Sequence, residues 1–171
     1  MSQSSEPGLY LSTEGTIPSE LLERYSLLDK QFYFRELFSL EDMSIQLAEM
    51  YLSGSLGSFG SVCVDSVNAH YRYEVVERAD ANKLLNASLS ILSHASARFG
   101  TRVLLVAQVR EEEGEVVPSG YEILDFWSDV VMEVRKDGPR RVVELVKPSE
   151  FKGLRLEFRI DERGIKFDRP L

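Results

Sequence analysis

Cysteine is almost missing from these 171 residues. Cys63 stands alone in the apolar run Ser61-Val62-Cys63-Val64, so no disulfide can form within the chain, and a stapled secreted scaffold is excluded. It is expected to be a small core residue. Histidine is nearly as scarce. His70 and His94 lie 24 positions apart with no second cysteine and no HExxH or EF-hand spacing, so zinc or calcium would find no ligand set. Both are expected to be satisfied locally. No run approaches the ~18 to 20 apolar residues of a spanning helix, and the first twenty residues lack a basic start followed by an apolar stretch. These absences read as a cytoplasmic protein with no membrane partner.

Positive charge is also in deficit. The chain carries 20 Lys and Arg against 28 Asp and Glu, a net charge of −8. The imbalance is uneven: residues 1–131 hold 9 basic and 20 acidic side chains, residues 132–171 hold 11 and 8. Phosphate backbones are bound chiefly by basic side chains that displace counterions, so DNA is expected to be held weakly or only through a partner. What is present, 43% hydrophobic residues, suffices for the core of one ordinary domain. We read residues 1–171 as that domain, with a loose polar start at residues 1–7.

Gly8 to Ser12 reads as a short buried strand. Pro18 with Leu21, Leu22, Tyr25 and Leu28 at helical spacing predicts a helix over 18–28. Gln31 to Phe34 follows as a short strand. Ser39 with Asp42 resembles a capping box before the apolar stripe Met43, Leu47, Met50 and Tyr51. Ser61 to Asp65 is a buried strand, 66–78 an active loop, and 79–98 a long helix whose inner face carries Leu84, Leu85, Leu89 and Leu92. Arg102 to Gln108 is apolar enough to be covered on both faces, and strand, helix, strand implies a parallel crossover. Beyond 109 an acidic loop, Glu111-Glu112-Glu113-Gly114-Glu115, leads to a short helix near 121–126. Three strands then follow at 130–134, 141–146 and 154–160, with a turn at Asp137-Gly138. The fold class is α/β, a mostly parallel sheet flanked by helices with a C-terminal antiparallel extension.

Ligands of open α/β sheets gather at the carboxyl ends of the strands, which is where Glu14, Asp65 and Gln108 fall. An Asp closing a buried strand is placed to hold Mg²⁺ through water, and a Glu beyond a neighbouring strand is placed to orient a water toward a phosphate. The same spacing also suits Asp65 as a turn cap and Glu14 as a solvated loop acid. The residues alone leave both readings open.

Taken in order, Tyr10-Leu11-Ser12-Thr13-Glu14-Gly15-Thr16, Val62-Cys63-Val64-Asp65-Ser66, His70-Tyr71-Arg72-Tyr73-Glu74 and Val106-Ala107-Gln108-Val109 resemble successive motifs of the RecA-superfamily recombinases. The archaeal RadA recombinases and their RadB-like paralogues are the nearest pattern. The ending Gly153 to Ile165 resembles their last strands. The resemblance implies that Glu14 matches the acid that activates water, Asp65 the Walker B acid serving Mg²⁺, Ser66 its usual follower, and Gln108 the residue that senses the γ-phosphate. It places Tyr71, Arg72 and Tyr73 in the first DNA-binding loop and Arg110 at the start of the second; the two tyrosines either stack on single-stranded bases or anchor the loop. Lys147 and Pro148 fall where family members cover the ATP of a neighbouring protomer.

Three features depart from that pattern. No GxxxxGK[ST] phosphate loop occurs among the 171 residues, which predicts a truncated RecA-like core; the glycine-rich Gly54 to Gly60 has no Lys and precedes a strand, so it is read as a flexible connector. Ser12 replaces the Asp usual before Thr-Glu. The loop after Gln108 is acidic where a recombinase engages DNA, which favours the RadB-like side.

The expected function is that of an accessory recombinase paralogue in DNA recombination and repair. It would have little or no ATPase activity of its own and would take ATP and Mg²⁺ only with a RadA-type recombinase or another paralogue, to which Lys147, Pro148 and Arg141 would contribute in trans. Two alternatives stand beside it: a RecA-type ATPase whose phosphate-loop segment lies outside this chain, and a KaiC-like regulatory relative. A missing strand beside 102–108 would open the sheet edge, so an oligomer is expected.

Overall fold

The structure is a computed structural model that describes residues 6–16, 20, 23, 32–112, 115–162 and 164–167. The chain divides into two compact units, Met1–Trp127 and Ser128–Leu171, each described here by itself. Apart from residues 20 and 23, the helix expected over 18–28 lies outside the described residues, as does most of the loose start.

The first unit is built on a parallel sheet of four strands, β1 (Gly8–Ser12), β2 (Phe32–Glu36), β3 (Ser61–Asp65) and β4 (Arg102–Val106), in the order β2-β1-β3-β4. Between them run α1 (Leu40–Leu52), α2 (Ala69–Glu77) and α3 (Ala81–Phe99). The steps β2 to β3 and β3 to β4 cross the sheet in the same direction. Right-handed crossover therefore sends α1 and α3 to one face. Leu9, Leu11, Val62 and Val64 are buried in one core with Met43 and Leu47 of α1 and Leu85, Leu89 and Leu92 of α3, at the three- and four-residue spacing of a helix face. Ser39 caps α1 by accepting the Asp42 N–H at 3.0 Å, and the Asp42 carboxylate accepts the Phe38 N–H in return. Gly100 ends α3 at φ 75°, where a side chain would be strained.

Strand β4 is not covered on both faces. Leu104 and Val106 are exposed, and in register Tyr10, Cys63 and Leu104 lie side by side on the sheet face opposite the core. Cys63 is accordingly half-buried and not a core residue. A second correction concerns residues 66–78, which hold the helix α2. Only Tyr71 of α2 is buried, so the segment has no apolar stripe to betray it. It is held from outside instead: the Glu74 carboxylate accepts the Leu40 N–H at 2.9 Å, and Arg78 pairs with Glu41, Glu74 and Asp80.

The glycine-rich connector is a packed 3-10 turn over Ser55–Ser58 with Leu56 fully buried. Its Gly57 lies so close to Phe99 that a Cβ there would stand 2.8 Å from the ring. The acidic loop is in part a two-stranded ribbon, β5 (Val109–Glu112) against β6 (Glu115–Pro118), leading to α4 (Tyr121–Trp127).

The second unit is an antiparallel sheet of four strands where three were expected: β7 (Val131–Asp137), β8 (Arg140–Lys147), β9 (Arg155–Asp161) and β10 (Gly164–Phe167), in the order β10-β9-β8-β7. The turn at Asp137-Gly138 joins β7 to β8, with Gly138 at φ 57°.

Candidate functional site

Parallel pairing in register sets Glu36, Ser12, Asp65 and Val106 in one row at the carboxyl edge of the sheet. Residues just past each strand end must meet there. Thr13 ties the ends of β1 and β3 together: its N–H is donated to the Asp65 carbonyl, and its hydroxyl accepts the Ser66 N–H and donates to the Ser66 carbonyl, all at 2.9 Å. The Asp65–Ser66 peptide bond is cis. Ser12, which stands where an Asp is usual, is buried and builds the next turn. Its hydroxyl donates to the Gly15 carbonyl at 2.6 Å and accepts the Glu14 N–H at 3.2 Å, so the Glu14 side chain is carried out of the turn.

Glu14 is the hub of the edge. Its Oε1 accepts from the Ser66 hydroxyl at 3.1 Å and from the Gln108 amide Nε2. The other end of that amide, Oε1, accepts from Arg72 Nη1 at 2.6 Å. The guanidinium fixes which way the amide faces, since only its nitrogen can then address Glu14. Arg72 also stands 5.8 Å from the centre of the Tyr73 ring. Glu14, Ser66, Gln108 and Arg72 thus form one hydrogen-bonded row from β1 to α2.

Asp65 is held separately. Tyr10 donates its hydroxyl to Asp65 Oδ2 at 2.5 Å, and burial, followed by that bond and charge, pushes the phenol above its ordinary value, so it remains a donor at neutral pH. Burial, and then the Asp65 charge, push the neighbouring Cys63 thiol up to about 11. That thiol is a poor nucleophile at neutral pH. Among the described residues no three His, Cys, Asp or Glu side chains converge as metal ligands. A lone strand-end carboxylate fits an ion that keeps its waters and takes its other oxygens from phosphates, as Mg²⁺ does.

The structure separates the remaining candidates. Tyr71 is only 7% exposed and donates its hydroxyl to Asn82 at 2.7 Å, so its ring offers no stacking platform. Tyr73, 72% exposed, does. Arg110 lies on β5 of the acidic ribbon, paired with Val117. Lys147, Pro148 and Arg141 belong to the second unit, with Lys147 and Arg141 at opposite ends of β8, roughly 20 Å apart at the usual rise. The Lys147–Pro148 bond is cis. His70 and His94 donate to the carbonyls of Leu37 and Ser90, so both are satisfied locally.

Sequence reasoning missed Asn68, which has no exposed surface. Its Oδ1 accepts the Gln108 N–H and its Nδ2 donates to the Gln108 carbonyl, each at 2.9 Å, with Ser119 accepting as well at 3.3 Å. One side chain therefore pins Gln108 by its backbone and closes the root of the β5–β6 ribbon. The only signal was a polar residue three positions after the strand-end Asp.

A parallel sheet with Thr-Glu beyond its first strand, Asp-Ser at the end of the third and a Gln beyond the fourth keeps the motif order on which the resemblance to the RecA superfamily rests. No family model matches the chain. It is 27% identical to the DNA repair and recombination protein RadB of Methanococcus maripaludis over 168 residues, 92% of this chain and 76% of that one. It is equally identical to RadB of Methanocaldococcus jannaschii, over 92% of this chain and 78% of the relative. The DNA repair and recombination protein RadA of Haloferax volcanii is 31% identical over 114 residues, 61% of this chain and 33% of the relative. A solved RadB recombinase shares the fold with a TM-score of 0.76 at 24% identity, over 95% of this chain and 79% of that one. The chain is thus similar in sequence to archaeal proteins named RadB along most of its length, and it shares its fold with a RadB recombinase.

Proposed function

We propose that this chain acts in DNA repair and recombination as an accessory paralogue, bringing its strand-end acids to a nucleotide shared with a RadA-type recombinase or another paralogue. The observation that carries the reading is the single row Glu14, Ser66, Gln108 and Arg72, with Asp65 beside it at the same edge. In it, Glu14 orients water, Asp65 holds Mg²⁺ through water, and Gln108 meets the γ-phosphate. Bound Mg²⁺ supplies the positive charge that offsets the phosphates. The phosphate cradle comes from the partner. The chain has little ATPase activity by itself.

Arg72 leaves Gln108 when the γ-phosphate takes the amide, and with Tyr73 it faces single-stranded DNA. Lys147 and Pro148 cover the base or ribose of the neighbour's nucleotide.

The test is the ATPase rate of a RadA-type recombinase with and without this chain. The wild-type chain is expected to change the rate, and Glu14→Gln to remove at least tenfold of the change while still binding the recombinase. A change that survives in both Glu14→Gln and Asp65→Ala contradicts the reading.

A further inference from the structure

Asp65 closes its strand with one carboxylate oxygen engaged and the other open. In the parallel register Ser12 lies beside Asp65 and Tyr10 beside Cys63, so Tyr10 has to reach two residues along the sheet face opposite the core, about 6.6 Å at the usual rise, to meet that acid. Its phenol spans the step and donates to Oδ2 at 2.5 Å, while its ring packs on Phe34 with centroids 5.0 Å apart. Among the described residues nothing else donates to the Asp65 carboxylate. It accepts no described backbone N–H, as a turn cap would. Glu14 at the same edge is different, for its Oε1 already serves two donors.

We infer that Tyr10 is a positioning residue for Asp65: it holds one oxygen so that the carboxylate meets a divalent cation through the other alone, which selects Mg²⁺ over Ca²⁺. The inference rests on the nucleotide reading above. Ca²⁺ takes roughly six to eight oxygens and readily draws two of them from one carboxylate, whereas Mg²⁺ holds to octahedral geometry, keeps several waters and uses carboxylates sparingly. Anchoring Oδ2 removes the two-oxygen grip and leaves the single contact, direct or through water, that Mg²⁺ needs. The phenol also fixes the rotation of the carboxylate. Hydrogen-bonded partners of metal ligands do this generally, and losing one costs about 10- to 100-fold in metal affinity. Packing does not account for the hydroxyl, because a phenylalanine in its place would make the same ring contact with Phe34.

The test is calorimetric titration of ATP into a RadA-type recombinase with and without this chain, in Mg²⁺ and separately in Ca²⁺, for the wild type, Tyr10→Phe and Asp65→Ala. The readout is the gain in affinity that the chain brings, a ratio in which the recombinase's own response to each cation cancels. The wild type is expected to bring a larger gain in Mg²⁺ than in Ca²⁺. Tyr10→Phe should lower the Mg²⁺ gain about tenfold and leave the Ca²⁺ gain undiminished, with an unchanged circular dichroism spectrum and undiminished binding to the recombinase. Asp65→Ala should lose both gains. A Tyr10→Phe variant that keeps the full Mg²⁺ gain, or loses equally in both cations, overturns the inference while the loss in Asp65→Ala still upholds the nucleotide reading. A chain that brings no gain, or a gain that survives in Asp65→Ala, overturns that reading and the inference with it.

Discussion

Asn68 answers three backbone groups with one amide that is itself fully buried. Asn68→Ala should therefore cost about 2 to 3 kcal/mol, the penalty of leaving buried donors and acceptors unmet, read as a lower urea midpoint with unchanged slope. A loss no larger than that of an exposed Asn→Ala would show that Gln108 is not held there. At this scale the acids were legible and their fasteners were not. Glu14 and Asp65 are marked by strand ends and by their place in a motif order. The Thr13 hydroxyl, the Ser12 turn and the Asn68 clamp depend on where short polar side chains point once four strands are in register, and no spacing along the chain carries that. Of the two readings open for the tyrosines, Tyr71 takes the anchor, because the helical turn puts it inside, while Tyr73 stays exposed.

Elements announced themselves when their own periodicity was strong. Helix α1 has a cap, an apolar face and a reciprocal side-chain bond at its start. Ser39→Ala is expected to lower the stability of the protein by about 1 kcal/mol, measured by chemical denaturation, and Ser39→Asp to restore most of it. Equal loss in both would mean that the cap bond contributes nothing. Helix α2 stayed hidden because its support is external, from Glu74 to the start of α1 and from Arg78 to three acids. The β5–β6 ribbon was masked by its charge, since a run of glutamates reads as loop whatever its backbone does. Strand β4 was read as doubly covered because an edge strand and a central one can have equally apolar sequences.

At the scale of the whole molecule, the order parallel first and antiparallel last was written in the chain, as was the gathering of Glu14, Asp65 and Gln108 at one edge. The alternation of β9 was also visible, and it says that one side of that strand is dry; β10 was not read from the sequence. The proposed role, strand-end acids brought to a nucleotide shared with a partner, belongs to this scale as well. The most direct measurement is calorimetric titration of Mg²⁺-ATP into the chain alone, into a RadA-type recombinase, and into the two together, each repeated with Asp65→Ala. The account predicts no binding heat for the chain alone and tighter binding to the pair than to the recombinase, with that gain lost in Asp65→Ala. Binding by the chain alone that Asp65→Ala abolishes, or a pair no tighter than the recombinase, would contradict it.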